Sequence, residues 1–211
     1  MMEQHDPIRI LVADDHPVVR EGLTALINRQ PGMEVVAEAR DGAEAVEIFH
    51  KAHPDITMVD LRMPKMDGIQ VISKIRELTP DARVIMISTF DGDENIYQSL
   101  RAGAKGYLRK DADCETLVEC IQAVNHGQSW VQPAVAQRLA DRVSETELSP
   151  RELQVLQCMV NGKTNKEIGN LLDIGEGTVK IHVNHLLKKL GVKGRTEAIN
   201  VALKRGIVFL D

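Results

Sequence analysis

Four apolar runs in the first 110 residues each climb to a polar residue and stop. Residues 8–13 run into Asp14 and Asp15, 56–59 into Asp60, 84–87 into Ser88, and 106–109 into Lys110. The runs are short, mostly β-branched or apolar, and followed by breakers such as Pro17, Pro64 and Gly68. This predicts buried strands with the polar residues at their carboxyl ends. Val35 and Val36 predict one further, short strand. Between the strands the period becomes helical: Val18, Leu23, Leu26 and Ile27 after Pro17; Ala43, Val46, Ile48 and Phe49 as far as His53-Pro54; and Ile69, Ile72 and Ile75. Ile96 and Leu100 follow, closed by Gly103, then Leu117, Val118, Ile121 and Val124, closed by Gly127. Five strands alternating with five helices predict a parallel α/β sandwich.

From Leu148 onward only helical periods remain. They run Leu153, Leu156, Val160; Ile168, Leu171, Leu172; Val179, Val183, Leu186, Leu190; and Ala198, Val201, Ala202. Ser149-Pro150 with Glu152 reads as a capped start, and Gly162, Gly175 and Gly191 separate the helices. Four short helices with the second and third close together are a helix-turn-helix layout. Between the two patterns, Pro133 and a modest stripe of Val135, Leu139 and Val143 predict a linker helix. The chain thus divides into 1–127, a linker at 128–147, and 148–211.

The length of 211 residues is comfortable for two domains with a core each. No apolar run reaches the roughly 18 residues of a membrane span, and no charged-then-apolar leader opens the chain, so a cytoplasmic protein is expected. Cys114, Cys120 and Cys158 show no metal-binding spacing and read as reduced core thiols. Charge is uneven: residues 1–127 hold 14 Lys and Arg against 22 Asp and Glu, and residues 148–211 hold 10 against 6. An acidic front and a basic back point to two tasks, with nucleic acid the first partner to consider for the back.

If the runs are neighbouring parallel strands, Asp14, Asp15, Asp60, Ser88 and Lys110 share one edge, where ligands of open parallel sheets bind. Carboxylates are the hard oxygen donors that Mg²⁺ prefers. Asp60 would then be the nucleophile that receives a phosphoryl group, with Mg²⁺ and Lys110 neutralising the charge that develops.

The blocks VADDHPVVREGL, MVDLRMPKMDG, VIMIST and GAKGYLRKD, with LSPRELQVLQCMVNGKTNKEIGNLLDIGEGTVKIHVNHLLKKLGVKGRTEAI behind them, resemble two-component response regulators of the NarL/FixJ type with a LuxR-type output domain. The resemblance covers nearly the whole chain. It implies a flavodoxin-like receiver followed by an all-α four-helix DNA-binding domain. It makes Asp60 the phosphoacceptor for a sensor histidine kinase, with Mg²⁺ held by Asp14, Asp15, Asp60 and the backbone carbonyl of Arg62. Ser88 is similar to the switch hydroxyl, with Thr89 one residue away from the same role. Lys110 is similar to the phosphate-binding lysine, and Tyr107 to the aromatic that reports the state.

In the output half, residues 176–184 resemble the start of a recognition helix. Lys180, Ile181 and Asn184 would face the major groove of double-stranded DNA, Lys180 toward guanine and Ile181 toward a thymine methyl. Asn184 departs from the lysine often found there. Thr164, Lys166, Thr178 and Lys188 look like phosphate contacts, and the helix around 196–204 looks like the contact of a homodimer on DNA.

Two other readings compete. An atypical receiver would bind DNA under control of a ligand or partner without phosphate, but it would lack acids that are present here. A phosphatase of the aspartyl-phosphate type would need a second acid two residues after the nucleophile, where Arg62 stands.

Overall fold

A computed structural model describes residues 6–89, 92–132, 136 and 147–208. The backbone forms two compact units, each with its own core. The first is built on five parallel strands, β1 (Ile8–Ala13), β2 (Met33–Ala39), β3 (Ile56–Asp60), β4 (Val84–Ser88) and β5 (Gly106–Arg109), in the order β2-β1-β3-β4-β5. Between and after them come α1 (Pro17–Asn28), α2 (Gly42–Ala52), α3 (Gly68–Leu78), α4 (Asp93–Ala102) and α5 (Cys114–Asn125). β3 and β4 are buried at every residue, which is why both read as unbroken apolar runs without alternation. Alternate residues serve opposite faces. Ile10, Val12, Ile56, Met58, Ile85, Ile87 and Leu108 share a core with Ile27 of α1 and with Leu117, Cys120, Ile121 and Val124 of α5. The chain leaves β1 for β2 on one side and finds β3 on the other, so a crevice opens at the carboxyl ends of β1 and β3.

The helices are where the sequence-derived stripes need correction. Val18 is 83% exposed and Leu26 also faces solvent, while Ile27 is buried and Leu23 packs on the core. In α2 it is Ala45 and not Ala43 that is buried. β2 is longer than the Val35-Val36 pair suggests, and its pairing with β1 shifts register between Ile10 and Leu11. After α5 the backbone of Trp130 bridges Gly106: its N–H donates to Lys105 O at 2.8 Å, and its carbonyl accepts from Tyr107 N–H at 3.2 Å. The start of the segment read as linker therefore lies along the edge of β5. Pro133, Val135, Leu139 and Val143, the predicted linker helix, lie outside the described residues.

The second unit holds α6 (Pro150–Val160), α7 (Asn165–Leu172), α8 (Glu176–Leu190) and α9 (Arg195–Arg205). Val155, Leu156, Met159, Ile168, Val179, Leu186, Ala198 and Ala202 are its fully buried centre. Leu171 and Leu153, read as core, are exposed. Asp173 closes α7 in the left-handed region, and three residues later α8 begins. At Gly169 a Cβ would stand 2.7 Å from the carbonyl oxygen of Ile174, so only glycine lets the turn fold back onto α7.

Candidate functional site

Asp14 follows β1, Asp60 is the last residue of β3, Ser88 the last of β4, and Lys110 follows β5. The sheet brings these four side chains to one edge. Asp14, Asp60 and Ser88 are buried, and the Lys110 side chain is only 8% exposed. Its Nζ stands 2.7 Å from Asp14 Oδ2 and 2.9 Å from Asp60 Oδ2, while its backbone N–H donates to Ser88 O at 2.9 Å. Thr89, the alternative to Ser88, is exposed. Tyr107 is buried in β5 on the face opposite Leu108. Gly68 matters to this edge because a Cβ there would run into the Asp60 carbonyl, so α3 can start directly behind the acid only from glycine.

Burial pushes the Asp60 carboxyl above the ordinary carboxylate range, although Lys110 and the Arg62 backbone N–H act against it. Lys110 goes the other way from a lone buried lysine. Burial would lower it, but the hydrogen bonds and charges of Asp14 and Asp60 outweigh that and raise it, so the ammonium form is secure. Burial pushes the Cys120 thiol up to about 12, which makes it core filling and not a nucleophile.

Asp14 Oδ2 and Asp15 Oδ1 are shielded from solvent, with Lys110 Nζ 2.7 Å from the first and His16 Nδ1 2.8 Å from the second. Three carboxylates face one ammonium here, leaving two negative charges, the deficit that one divalent cation would make good. The residues therefore fit Mg²⁺.

In the second unit burial divides α8 into two sides. Val179, Leu186 and Leu190 of α8 are buried, and Thr178, Lys180, Ile181, Asn184 and Lys188 lie on its exposed side. Ile181 is 54% exposed, an apolar side chain in water in the middle of a polar face. Lys180 Nζ is held by Glu176 Oε1 at 2.9 Å, one turn earlier. Lys166 is exposed on α7. Thr164 is more engaged than its reading as a phosphate contact suggests. It is the N-cap of α7, and its hydroxyl accepts from Glu167 N–H and donates to Glu167 Oε2 at 2.7 Å. The Thr-x-x-Glu spacing carried that signal. The sequence pattern gave no hint of Lys65, whose Nζ sits 2.6 Å from the Asp41 N-cap of α2 and ties down the loop after Asp60.

A parallel sheet with an acid-lysine pocket, joined to a helix-turn-helix, defines a receiver coupled to a DNA-binding output. Known proteins agree. Residues 10–122 match the family model of the response regulator receiver domain, and residues 146–202 match that of the bacterial regulatory proteins of the luxR family. The nitrate/nitrite response regulator protein NarL of Escherichia coli K12 is 35% identical over 93% of this chain and 95% of its own. The transcriptional regulatory protein DegU of Brevibacillus brevis is 34% identical over 95% of each. Among solved structures, the response regulator ChrA of a heme-sensing two-component system is 36% identical, covers 96% of this chain and 100% of its own, and has a TM-score of 0.58. The chain belongs to the response regulators with a receiver and a LuxR-type DNA-binding domain, and is a phosphorylation-controlled transcription regulator. No helix among the described residues is long and apolar enough to cross a membrane.

Proposed function

We propose that Asp60 is the phosphoacceptor, charged by a sensor histidine kinase, and that residues 148–211 carry the result to double-stranded DNA. The observation that supports this most is Lys110 Nζ held between Asp14 and Asp60 at the carboxyl edge of the sheet. Asp14, Asp15, Asp60 and the Arg62 carbonyl would hold Mg²⁺, which when bound supplies countercharge to the transferring phosphoryl group. An Asp60 oxygen attacks phosphorus in line. The phosphorus–nitrogen bond of the donor breaks, its electron pair returns to the kinase imidazole, and an acyl phosphate remains. Lys110 turns from the carboxylates to the new phosphoryl oxygens, Ser88 donates its hydroxyl to them, and Tyr107 follows into the space that Ser88 leaves.

On the output side, Lys180, Ile181 and Asn184 read bases, while Lys166, Thr178 and Lys188, with Thr164 at the cap, meet phosphates. The receiver takes in residues 1–127, and residues 128–147 link it to the output domain. Two copies pair on DNA through the helix around 196–204, where Ile199, Val201 and Leu203 are half-buried and leave surface for a partner. Such a regulator works in the cytoplasm.

Acetyl phosphate with Mg²⁺ should add one phosphoryl group to the full-length chain, seen by intact-mass spectrometry, and none to Asp60→Ala. Undiminished labelling of Asp60→Ala would put the acceptor elsewhere.

A further inference from the structure

His16 is the N-cap of α1, a position where Ser, Thr or Asp would accept a backbone N–H, yet its side chain caps nothing. The ring turns to the acids instead. Nδ1 lies 2.8 Å from Asp15 Oδ1 and 3.3 Å from Asp14 Oδ1. The backbone keeps it there: the His16 N–H donates to Asp14 Oδ1 at 2.9 Å, and Pro17 fixes the next turn as the helix begins. One ligand atom each from Asp14, Asp15, His16 and Asp60 lies within 4.8 Å of all the others. Around an octahedral ion with bonds of roughly 2.1 Å, adjacent donors stand about 3.0 Å apart and opposed ones about 4.2 Å. The imidazole nitrogen and the carboxylate oxygens are therefore spaced as donors to one ion, a few tenths of an ångström from closing on it.

We infer that His16 is a fourth protein ligand of this pocket and that it suits the site to nitrogen-accepting divalent ions, Ni²⁺ above all and Mn²⁺ less, as well as to Mg²⁺. This rests on the cation site proposed above for Asp14, Asp15 and Asp60. Mg²⁺ demands oxygen donors and gives up its waters reluctantly, so it draws on the carboxylates and leaves the ring aside. Ions later in the first transition row gain from an imidazole nitrogen. The ring is 66% exposed, so it can swing on or off the ion without opening the core. A different role for the same contact would be a hydrogen bond from Nδ1–H that orients Asp15. The two roles part in their selectivity: an orienting bond strengthens every divalent ion alike, whereas a ligand strengthens only those that take nitrogen.

Titration calorimetry of tag-free, full-length protein with Mg²⁺, Mn²⁺ and Ni²⁺ separates them, using wild type, His16→Ala and His16→Asn, with Asp14→Ala identifying the heat that belongs to this pocket. Both His16 variants should weaken Ni²⁺ by about tenfold or more and Mn²⁺ by less, following the ordinary order of metal affinities, and leave Mg²⁺ within about twofold. Pulsed electron paramagnetic resonance of the Mn²⁺-loaded wild type should show a directly bound nitrogen that is lost in His16→Ala. Equal weakening of all three ions, no weakening of any, or no nitrogen coupling in the wild type overturns the assignment of His16. Failure of the wild type to bind Mg²⁺ at all would instead overturn the cation site on which it rests, so the two failures are distinct.

Discussion

Lys180, proposed above to read a base, has its exposed charge already engaged in the free protein. Its ammonium lies 2.9 Å from Glu176 on the preceding turn, an exposed pair that solvent screens and that holds the lysine only weakly. If Lys180 reads guanine as proposed, exchanging Glu176 for O6 and N7 would cost little and return a directional contact. Lys180→Ala should lose about 1 to 3 kcal/mol on the cognate site and much less on scrambled DNA. Fluorescence anisotropy on both duplexes at one salt concentration checks this, and equal losses on both would reassign the residue to phosphate. At this scale the receiver pocket is legible in the sequence because its residues end apolar runs, so strand geometry alone gathers them. Thr164 is only half legible, because one hydroxyl at a helix start can serve either a cap or a phosphate. His16 stays hidden for a related reason: an N-cap is expected to bond its own helix, and the sequence cannot show the ring turned toward Asp15.

The four helices of the output unit are held by their ends as much as by their core. Ser149 and Glu152 form a reciprocal capping box at the start of α6, and Lys189 Nζ reaches across from α8 to Glu152 Oε2 at 2.7 Å. Glu152 is thus at once a cap and a link between helices. Burial would raise its carboxyl, but Lys189 and Ser149 hold it below the usual range. A depressed carboxyl contributes stability above the unfolded value of 4.5 that disappears as pH falls through the lower folded value. Glu152→Gln should therefore destabilise residues 148–211 by about 1 to 2 kcal/mol at neutral pH, with the gap to wild type closing as pH falls below that carboxylate range. Urea melts at neutral and acid pH measure it, and a gap that does not change with pH would mean that the amide preserves all that the carboxylate does. Elements are unevenly legible in the sequence for a physical reason. Strands buried on both faces announce themselves as short apolar runs, but α1 carries more apolar residues than it buries. Val18 and Leu26 are exposed while Leu23 packs on the core and Ile27 is buried, and periodicity alone cannot say which of them meet the sheet.

Across the whole molecule the charges are segregated. Residues 1–127 carry 14 basic and 22 acidic side chains, a net of −8, and residues 148–211 carry 10 and 6, a net of +4. Opposite net charges favour an undirected attraction between the halves, which would compete with DNA phosphate for the lysines of the output half. Phosphorylation adds negative charge to the acidic half, which by charge alone would tighten that attraction and lower DNA affinity. If phosphorylation activates, a conformational step at Ser88 and Tyr107 must outweigh the added charge. The output unit has a core of its own, so it can be tested alone. Residues 148–211 should bind operator DNA at least as tightly, per site, as the unphosphorylated full-length chain at the same salt, and beryllofluoride with Mg²⁺ should narrow the difference. The gap should also shrink as salt rises, because the attraction between the halves is screened, although DNA affinity itself falls in parallel for both proteins. Tighter binding by the unphosphorylated full-length chain than by the fragment, unchanged by beryllofluoride, would show that the receiver does not restrain the output domain.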